Sequence, residues 1–214
     1  MQRSTEARLE LAAVAGRDRE PVKGALALPG GYIRVQDDQG ALDAATRTLR
    51  EKTGIVSPYL EQLATFSGPG RDPRGWSVSI AHCALVAPEV LARGSPALQV
   101  LPVRALPILP FDHRSIVELA VARVRTKSQY SSLPVYLCGD TFTLPQLQAV
   151  YEAVLGEPIN KVSFRRKIDE LGMVEPVEGV LESGRANRPA QIYRLKREFR
   201  HALSTLDRGL GARS

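Results

Sequence analysis

The sequence predicts an α/β domain followed by a smaller domain of helices and a two-stranded hairpin. In the first half, short apolar runs are interrupted by one amphipathic helical segment, a pattern typical of strands packed against helices. From Asp112 onward, apolar residues recur at helical spacing, and the last two apolar runs, MVEPVEGVL and PAQIYRL, are extended and joined by a polar turn. A chain of 214 residues is long enough for two domains that each bury a core.

The elements of the first half follow from its apolar runs and turn residues. Strands are expected at residues 9–14, 25–28, 60–67 and 76–86 and within 96–110. The segment SGPGRDPRG is a turn between two of them. A helix is expected from Ala41 to Thr53, with Gly54 ending it. Apolar residues at helical spacing are expected to form its inward face, namely Leu42, Ala45 and Leu49.

The second half contains three helical segments. The first runs from Asp112 to about residue 126, and a connector follows it. The next two, LPQLQAVYEAVLG and NKVSFRRKIDELG, are separated by a short loop. Pro145 is tolerated in the first turn of the former, Asn160 is the N-cap of the latter, and a glycine ends each.

Composition and charge exclude several classes of protein. The chain is 43% hydrophobic and 24% charged, as is usual for globular proteins. It contains no apolar run long enough to cross a bilayer, and its polar N-terminus is unlike a signal peptide, so we expect a cytoplasmic protein. Cys83 and Cys138 lack metal-ligand spacing, which favours reduced thiols. The net charge of +6 suits an anionic partner without identifying it.

Residues 30–55 contain a glycine pair, a loop and a helix, and the stretch RTLREKTGI at 47–55 resembles the Nudix signature. In that family the stretch reads Arg-Glu-apolar-X-Glu-Glu-X-Gly-apolar, and its carboxylates hold a divalent metal. The corresponding positions here are Thr48, Glu51 and Lys52, which share one helical face. Because magnesium prefers carboxylate oxygens and an ammonium repels it, we expect neither a metal site nor a catalytic residue.

The third helical segment of the second half is basic in its first turns. Its candidate donors to DNA are Asn160, Lys161, Ser163, Arg165, Arg166 and Lys167. A helix pair followed by a basic hairpin is the layout of a winged helix-turn-helix, whose second helix enters the major groove. Arg185 and Arg188 at the hairpin tip are further candidates. Apolar residues are expected to pack the helix inward, namely Val162, Phe164, Ile168 and Leu171. The alternative, a solvated basic face of an amphipathic helix, stays open.

The eroded signature, the turn SGPGRDPRGW and the stretch from FTLPQLQ to RPAQIYRL together resemble the NrtR-type Nudix-related transcriptional regulators. The resemblance implies an α/β Nudix-like mixed-sheet sandwich (α+β) in residues 1–110, a linker helix and connector in 111–139, a winged helix-turn-helix domain in 140–200 and a tail in 201–214. It also implies a dimeric repressor of NAD-metabolism genes that needs no cofactor, senses ADP-ribose or a related nucleotide, and releases operator DNA when the effector binds. A Nudix domain usually has another strand before LELAAV, so we expect a trimmed start or a misassigned initiator.

Candidate effector contacts lie in the first domain, namely Lys23, Gly30, Gly31, Arg47, Glu51, Arg71 and Arg74. The glycine pair brings the backbone close to a diphosphate or forms a turn that needs positive φ. The two arginines of GRDPRG suit phosphate oxygens, or else lie in a solvated loop. For Arg47 and Glu51 a pair that buttresses the loop is favoured over ligand contact. Trp76 stacks on an adenine or, more commonly, belongs to the core.

Two other functions stay open. An active Nudix hydrolase of ADP-ribose or another nucleoside diphosphate would need metal ligands outside the eroded face, and Glu51 with Asp37 or Asp38 is the nearest set. A module that binds a partner other than DNA through the same helices is the third possibility. Its binding would be insensitive to salt, whereas phosphate contacts make DNA affinity fall with salt.

Overall fold

The computed structural model describes residues 10–15, 24–182 and 190–200, together with residues 203 and 205. The chain forms two compact units, whose boundary lies between Arg123 and Val124. This boundary falls within a helix, α3 (His113–Ser128), in the segment that the sequence predicts as a linker helix. Within the described part of the chain, no helix is long and apolar enough to cross a membrane.

The first unit contains two small antiparallel sheets. Strand β1 (Glu10–Ala15) lies between β2 (Leu26–Ala27) and β5 (Leu98–Pro102). Strands β3 (Tyr59–Gly68) and β4 (Ser77–Leu85) form a hairpin, with a register shift between Gln62 and Ala64. The short helix α2 (Pro88–Leu91) precedes β5. All five predicted strands are present, and the turn SGPGRDPRG connects β3 to β4.

Helix α1 (Ala41–Thr53) has the predicted bounds, but its predicted inward face is wrong in part. Gly54 ends the helix in the left-handed region at φ 70°, and its N–H donates to the carbonyl of Arg50. The buried residues are Ala44, Thr48 and Thr53, whereas Leu42 is exposed. Since each residue turns a helix by about 100°, Leu42 lies nearly opposite Ala44. The helix therefore buries small side chains, and this lets backbone approach it closely.

The second unit has the order of a winged helix-turn-helix domain. After β6 (Phe142–Thr143) come helices α4 (Leu144–Leu155) and α5 (Lys161–Leu171) and strands β7 (Val174–Glu182) and β8 (Ala190–Leu195). The three strands form one sheet in the order β6-β8-β7. The predicted helices and hairpin are therefore confirmed. The core is formed by fully buried side chains of α4, of α5 and of the residue before β7. These are chiefly Leu147, Tyr151, Phe164, Ile168 and Met173.

The segment that the sequence predicts as a connector belongs to this core. Residues 131–136 are all buried, and 133–137 form a 3-10 helix. The Tyr151 hydroxyl donates to the carbonyl of Ser131 at 2.9 Å, and the Tyr136 hydroxyl donates to the carbonyl of Phe199 at 2.7 Å. These bonds satisfy polar groups that burial removes from water, so a segment with the composition of a loop packs as core.

Candidate functional site

The glycine pair lies against helix α1. A Cβ atom built on Gly31 would be 2.8 Å from Oγ1 of Thr48, closer than side-chain atoms normally approach. A Cβ on Gly30 would meet nothing nearer than 3.9 Å. Neither glycine has positive φ, so the interpretation as a turn that needs positive φ is wrong. Gly31 is required because the chain passes over the buried Thr48 without room for a side chain.

Four charged residues fix the loop that follows the glycine pair. Arg47 donates to both carboxylate oxygens of Asp38, at 2.8 and 2.7 Å, and to the carbonyl of Tyr32 at 3.0 Å. Arg34 donates to both oxygens of Glu51, at 2.8 and 2.9 Å. The i, i+4 pair of Arg47 and Glu51 is present at 3.4 Å. This network, the loop–helix cluster, ties residues 32–38 to α1.

The loop–helix cluster holds its carboxylates ionised. Hydrogen bonds from the Arg47 side chain and from the Arg34 backbone N–H lower the pKa of Asp38 to about 2. The Arg34 guanidinium, with a smaller effect from Arg47, lowers the pKa of Glu51. Asp38 in turn raises the pKa of Arg47. Each acid of the cluster is thus neutralised by an arginine of the chain itself.

The face of α1 that carries metal ligands in Nudix hydrolases does not fit a divalent metal here. Thr48 is buried beneath Gly31, and both oxygens of Glu51 already accept hydrogen bonds from arginine. Lys52 adds an ammonium to the same face. Within the described ranges, no group of three or more His, Cys, Asp or Glu side chains is arranged to hold a metal ion. In addition to the ammonium of Lys52, this face carries the carboxylate of Glu51, which the guanidinium groups of Arg34 and Arg47 neutralise.

Arg71 occupies a half-buried site in the turn between β3 and β4. Its guanidinium donates to both oxygens of Asp112, at 2.9 and 2.8 Å, and to the hydroxyls of Ser77 and Ser79, at 3.1 and 2.8 Å. The side chain is only 11% exposed. The structure therefore engages Arg71 with protein groups that link the turn to β4 and to the residue before α3.

Arg74, by contrast, lies on the surface. It pairs with Asp72 at 2.6 Å, and its guanidinium carbon lies 6.0 Å from the centre of the Phe111 ring. Hydrogen bonding to Asp72 raises the pKa of Arg74. Trp76 is 66% exposed, so the interpretation of Trp76 as a core residue is wrong. An exposed cation and an exposed indole are therefore within two residues of each other.

Helix α5 presents a basic surface at its first turns. The Asn160 side chain accepts hydrogen bonds from the N–H groups of Val162 and Ser163, as predicted for an N-cap. The exposed donors along the helix are Lys161, Ser163, Arg165 and Arg166. Arg166 and Lys167 approach Glu170, at 3.9 and 3.1 Å, whereas Lys161 and Arg165 have no carboxylate partner among the described residues.

The inward face of α5 consists of Phe164, Ile168 and Leu171, as predicted. Val162 was predicted to belong to it and does not, because it is 77% exposed. Two residues before Phe164, Val162 lies about 200° around the helix from that buried ring. It therefore shares the outward face with the cations.

The loop between α4 and α5 is held by two side chains of α4. Gln148 donates to the carbonyl of Ile159 at 2.8 Å, and Glu152 accepts from the backbone N–H of Ile159 at 2.9 Å. These bonds fix the residue before the N-cap and hence the start of α5. Lys161 and Arg165 also line a cleft of about 230 Å³ between α4 and α5.

Several predicted site residues lie outside the described part of the chain, and several residues that support the site were not predicted from the sequence. Lys23, Arg185 and Arg188 are among the former. The residues that the sequence did not indicate hold other site residues in place, namely Arg34, Asp112, Gln148 and Glu152. Asp38, predicted only as a metal ligand of the alternative hydrolase, accepts hydrogen bonds from Arg47 instead. Only the i, i+4 spacing of the two α4 residues offered a local signal. The ion pairs of Arg34 and Asp112 join positions 17 and 41 residues apart, which no pattern along the chain indicates.

Comparison with known proteins matches residues 134–195 to the family described as the NrtR DNA-binding winged helix domain. Over 183 residues the chain is 40% identical to a protein of Acinetobacter baylyi named ADPR responsive transcriptional repressor NtrR. That match covers 83% of this chain and 72% of the relative.

Among solved structures, the chain is similar to Shewanella oneidensis NrtR complexed with a 27mer DNA, with a TM-score of 0.86 and 34% identity. The similarity covers 96% of this chain and 94% of that one, and it confirms the predicted fold class. Over 104 residues the chain is also 35% identical to an ADP-ribose pyrophosphatase of Methanocaldococcus jannaschii, covering 48% of this chain and 60% of the enzyme. The likeness to the regulators thus spans nearly the whole chain, and the likeness to the enzyme about half.

Proposed function

The chain belongs to the NrtR family of Nudix-related transcriptional regulators, and from this we propose that it represses genes of NAD metabolism by binding operator DNA. The observation that carries the proposal is the basic surface of α5, in a domain that matches the family's DNA-binding domain. The Shewanella relative was crystallised with DNA. We propose that ADP-ribose or a related NAD-derived nucleotide binds the first unit and releases the DNA, since the Acinetobacter relative is named an ADPR-responsive repressor.

The DNA interface is proposed to consist of the exposed donors at the start of α5. Lys161 and Arg165, which have no carboxylate partner in the part of the chain that the structure describes, are available to DNA phosphates or to guanine edges. The guanidinium of Arg166 lies 3.9 Å from the carboxylate of Glu170, and both side chains are exposed. This weak ion pair is easily exchanged for a contact to DNA. Lys167 is a weaker candidate, because its ammonium lies 3.1 Å from Glu170 and its side chain is 17% exposed.

The effector site is proposed to lie between the glycine pair and the turn before β4. Gly30 supplies exposed backbone, Arg74 supplies a guanidinium for the diphosphate, and Trp76 supplies an exposed ring for stacking. Arg47 and Glu51 act within the loop–helix cluster and hold the loop in shape. Arg71 holds the turn in shape through its half-buried ion pair with Asp112 and does not contact the effector.

We propose that the first unit binds its nucleotide without hydrolysing it and requires no cofactor. Three features support this proposal. Glu51 already accepts a hydrogen bond from Arg34, Thr48 is buried, and Lys52 adds an ammonium to the same helical face. The similarity to an ADP-ribose pyrophosphatase favours the alternative, an active hydrolase. Release of AMP from ADP-ribose with magnesium or manganese at enzyme-like turnover, in the absence of DNA, would establish the alternative.

A homodimer acting in the cytoplasm completes the proposal. Val78 and Ile80 are exposed on β4, two residues apart, and therefore lie on the same face of that strand. Exposed apolar neighbours of this kind favour an interface between two copies. Helix-turn-helix repressors bind two half-sites as dimers, so a dimer also provides the second recognition helix.

Arginine substitutions on α5 test the DNA-binding assignment. We expect Arg165→Ala and Arg166→Ala to abolish the mobility shift of a DNA site that the wild-type chain has selected from a random library. ADP-ribose binding, measured by calorimetry, should be unchanged in both variants. Arg50→Ala is the matched control, because Arg50 is an exposed arginine of α1. Wild-type DNA affinity in both α5 variants would remove the assignment.

A further inference from the structure

Val162 is an exposed apolar residue in the middle of the basic surface of α5. It is 77% exposed and follows Lys161, the first residue of the helix. The residues on either side of it are polar or cationic, and Arg166 lies one turn further along the same face. A lone exposed valine is common on protein surfaces. Val162 therefore indicates a function only if folding does not explain why a valine is present there.

Folding does not explain a valine at this position. Its side chain does not pack into the core that Phe164, Ile168 and Leu171 form. It does not cap the helix, since the Asn160 side chain does so. Its branched Cβ also lowers helix propensity relative to alanine or to a long polar residue. A property of the outward face therefore accounts for the residue better than stability does.

The partner proposed for that face is double-stranded DNA, and its major groove offers one apolar group. Thymine carries a 5-methyl group at the groove surface, whereas the other bases present donors and acceptors there. Residues in the first turns of a recognition helix approach base edges most closely. We propose that Val162 reads the methyl group of a thymine in each operator half-site, an inference that rests on the proposed DNA-binding function.

The position of Arg166 restricts where this thymine lies. Residues four apart on a helix are separated by about 6 Å along its axis, and base pairs are stacked about 3.4 Å apart. A helix that follows the groove therefore places Val162 and Arg166 about two base pairs apart. The thymine read by Val162 should lie within about two base pairs of the base pair that Arg166 contacts.

Replacement of thymine by uracil tests the contact, because uracil lacks only the 5-methyl group. The probe is a DNA site selected from a random library by the full-length wild-type chain. Each thymine of one half-site is replaced in turn by uracil, and affinities are measured by fluorescence anisotropy for wild type, Val162→Ala and Val56→Ala. Val56→Ala is the matched control, since Val56 is 67% exposed and belongs to the first unit.

We expect uracil at one position to weaken binding of wild type and of Val56→Ala about fourfold, the value of one buried methyl group. Val162→Ala should bind the thymine site about fourfold more weakly than wild type and should not distinguish thymine from uracil at that position. The inference is overturned if uracil has no effect on wild type at any position, or if Val162→Ala remains as sensitive as wild type at every position.

The same experiment separates this inference from the function on which it rests. If the wild-type chain enriches no sequence, both the DNA-binding function and the role of Val162 are wrong. If it enriches a site that Arg165→Ala and Arg166→Ala fail to bind, and uracil is tolerated throughout, the function stands and the role of Val162 is wrong.

Discussion

Substitution of Gly31 by alanine tests how the glycine pair is used. The added Cβ would lie 2.8 Å from Oγ1 and 3.4 Å from Cγ2 of Thr48, which is buried on α1. Thr48 is β-branched, so it has little rotamer freedom within a helix with which to move aside. The backbone at residue 31 must therefore shift away from α1, or α1 must shift away from it.

The size of the effect follows from the geometry. Overpacking of a close contact typically costs about 1–3 kcal/mol, and we expect Gly31→Ala to lower the free energy of unfolding of the first unit by that amount. Gly30→Ala is the control, because its Cβ would meet nothing nearer than 3.9 Å and Gly30 has no positive φ. It should leave stability unchanged or raise it by about 0.5 kcal/mol, since alanine restricts the unfolded chain. Urea unfolding of the full chain measures both.

A second substitution shows whether the clash is the cause. Thr48→Ala removes both of the nearest atoms, so in that background Gly31→Ala should cost little. The reasoning is refuted if Gly31→Ala is as stable as Gly30→Ala. It is refuted equally if the cost of Gly31→Ala is the same with threonine or alanine at position 48.

Three further predictions concern other described contacts. Arg71→Ala should lower stability by about 2 kcal/mol in urea unfolding because it leaves a half-buried carboxylate unpaired, and Arg74→Ala should have little effect; equal stability of the two variants would contradict the structural role of Arg71. Burial lowers the pKa of His113 below 6.5, so its contribution to stability is present above pH 6.5 and lost as pH falls. The Nδ1 atom of His113 accepts a hydrogen bond from the N–H of Leu28 at 3.2 Å. His113→Asn, which keeps a side-chain acceptor for that N–H, should show a smaller loss of stability from about pH 8 to 5, and an unchanged pH profile would show that another group titrates. Glu152→Ala should weaken DNA binding in anisotropy assays by freeing the N–H of Ile159, while Glu152→Gln, which keeps the acceptor, should bind normally; loss of binding in both would point to the charge instead.

Element bounds were predictable because local signals set them. Gly54, Gly156 and Gly172 all end helices in the left-handed region, where glycine is favoured. Asn160 caps α5 through its own side chain, which a sequence reveals directly. The winged helix-turn-helix order followed from these boundaries and from the two extended apolar runs after the last helix.

Side-chain burial and pairing were less predictable because they depend on residues distant in sequence. Leu42 and Val162 have the character of core residues, yet the packing partners lie on other faces of their helices. Trp76, the residue before β4, is exposed as well. Glu51 has two arginine partners, and only Arg47 lies at helical spacing, whereas Arg34 comes from the loop before the helix. Whether Glu51 could bind a metal is therefore decided by its contact with Arg34, which lies 17 residues away in the sequence.

We propose that ADP-ribose releases the DNA and is not itself consumed. The most direct measurement titrates ADP-ribose, with magnesium present, into the complex of the full chain and its selected DNA site, followed by anisotropy and by chromatography of the nucleotide. We expect DNA affinity to fall by about 5–150-fold, the usual range of coupling between two sites, and ADP-ribose to be recovered intact. Tight binding of ADP-ribose with unchanged DNA affinity, or its conversion to AMP at enzyme-like turnover, would contradict the account.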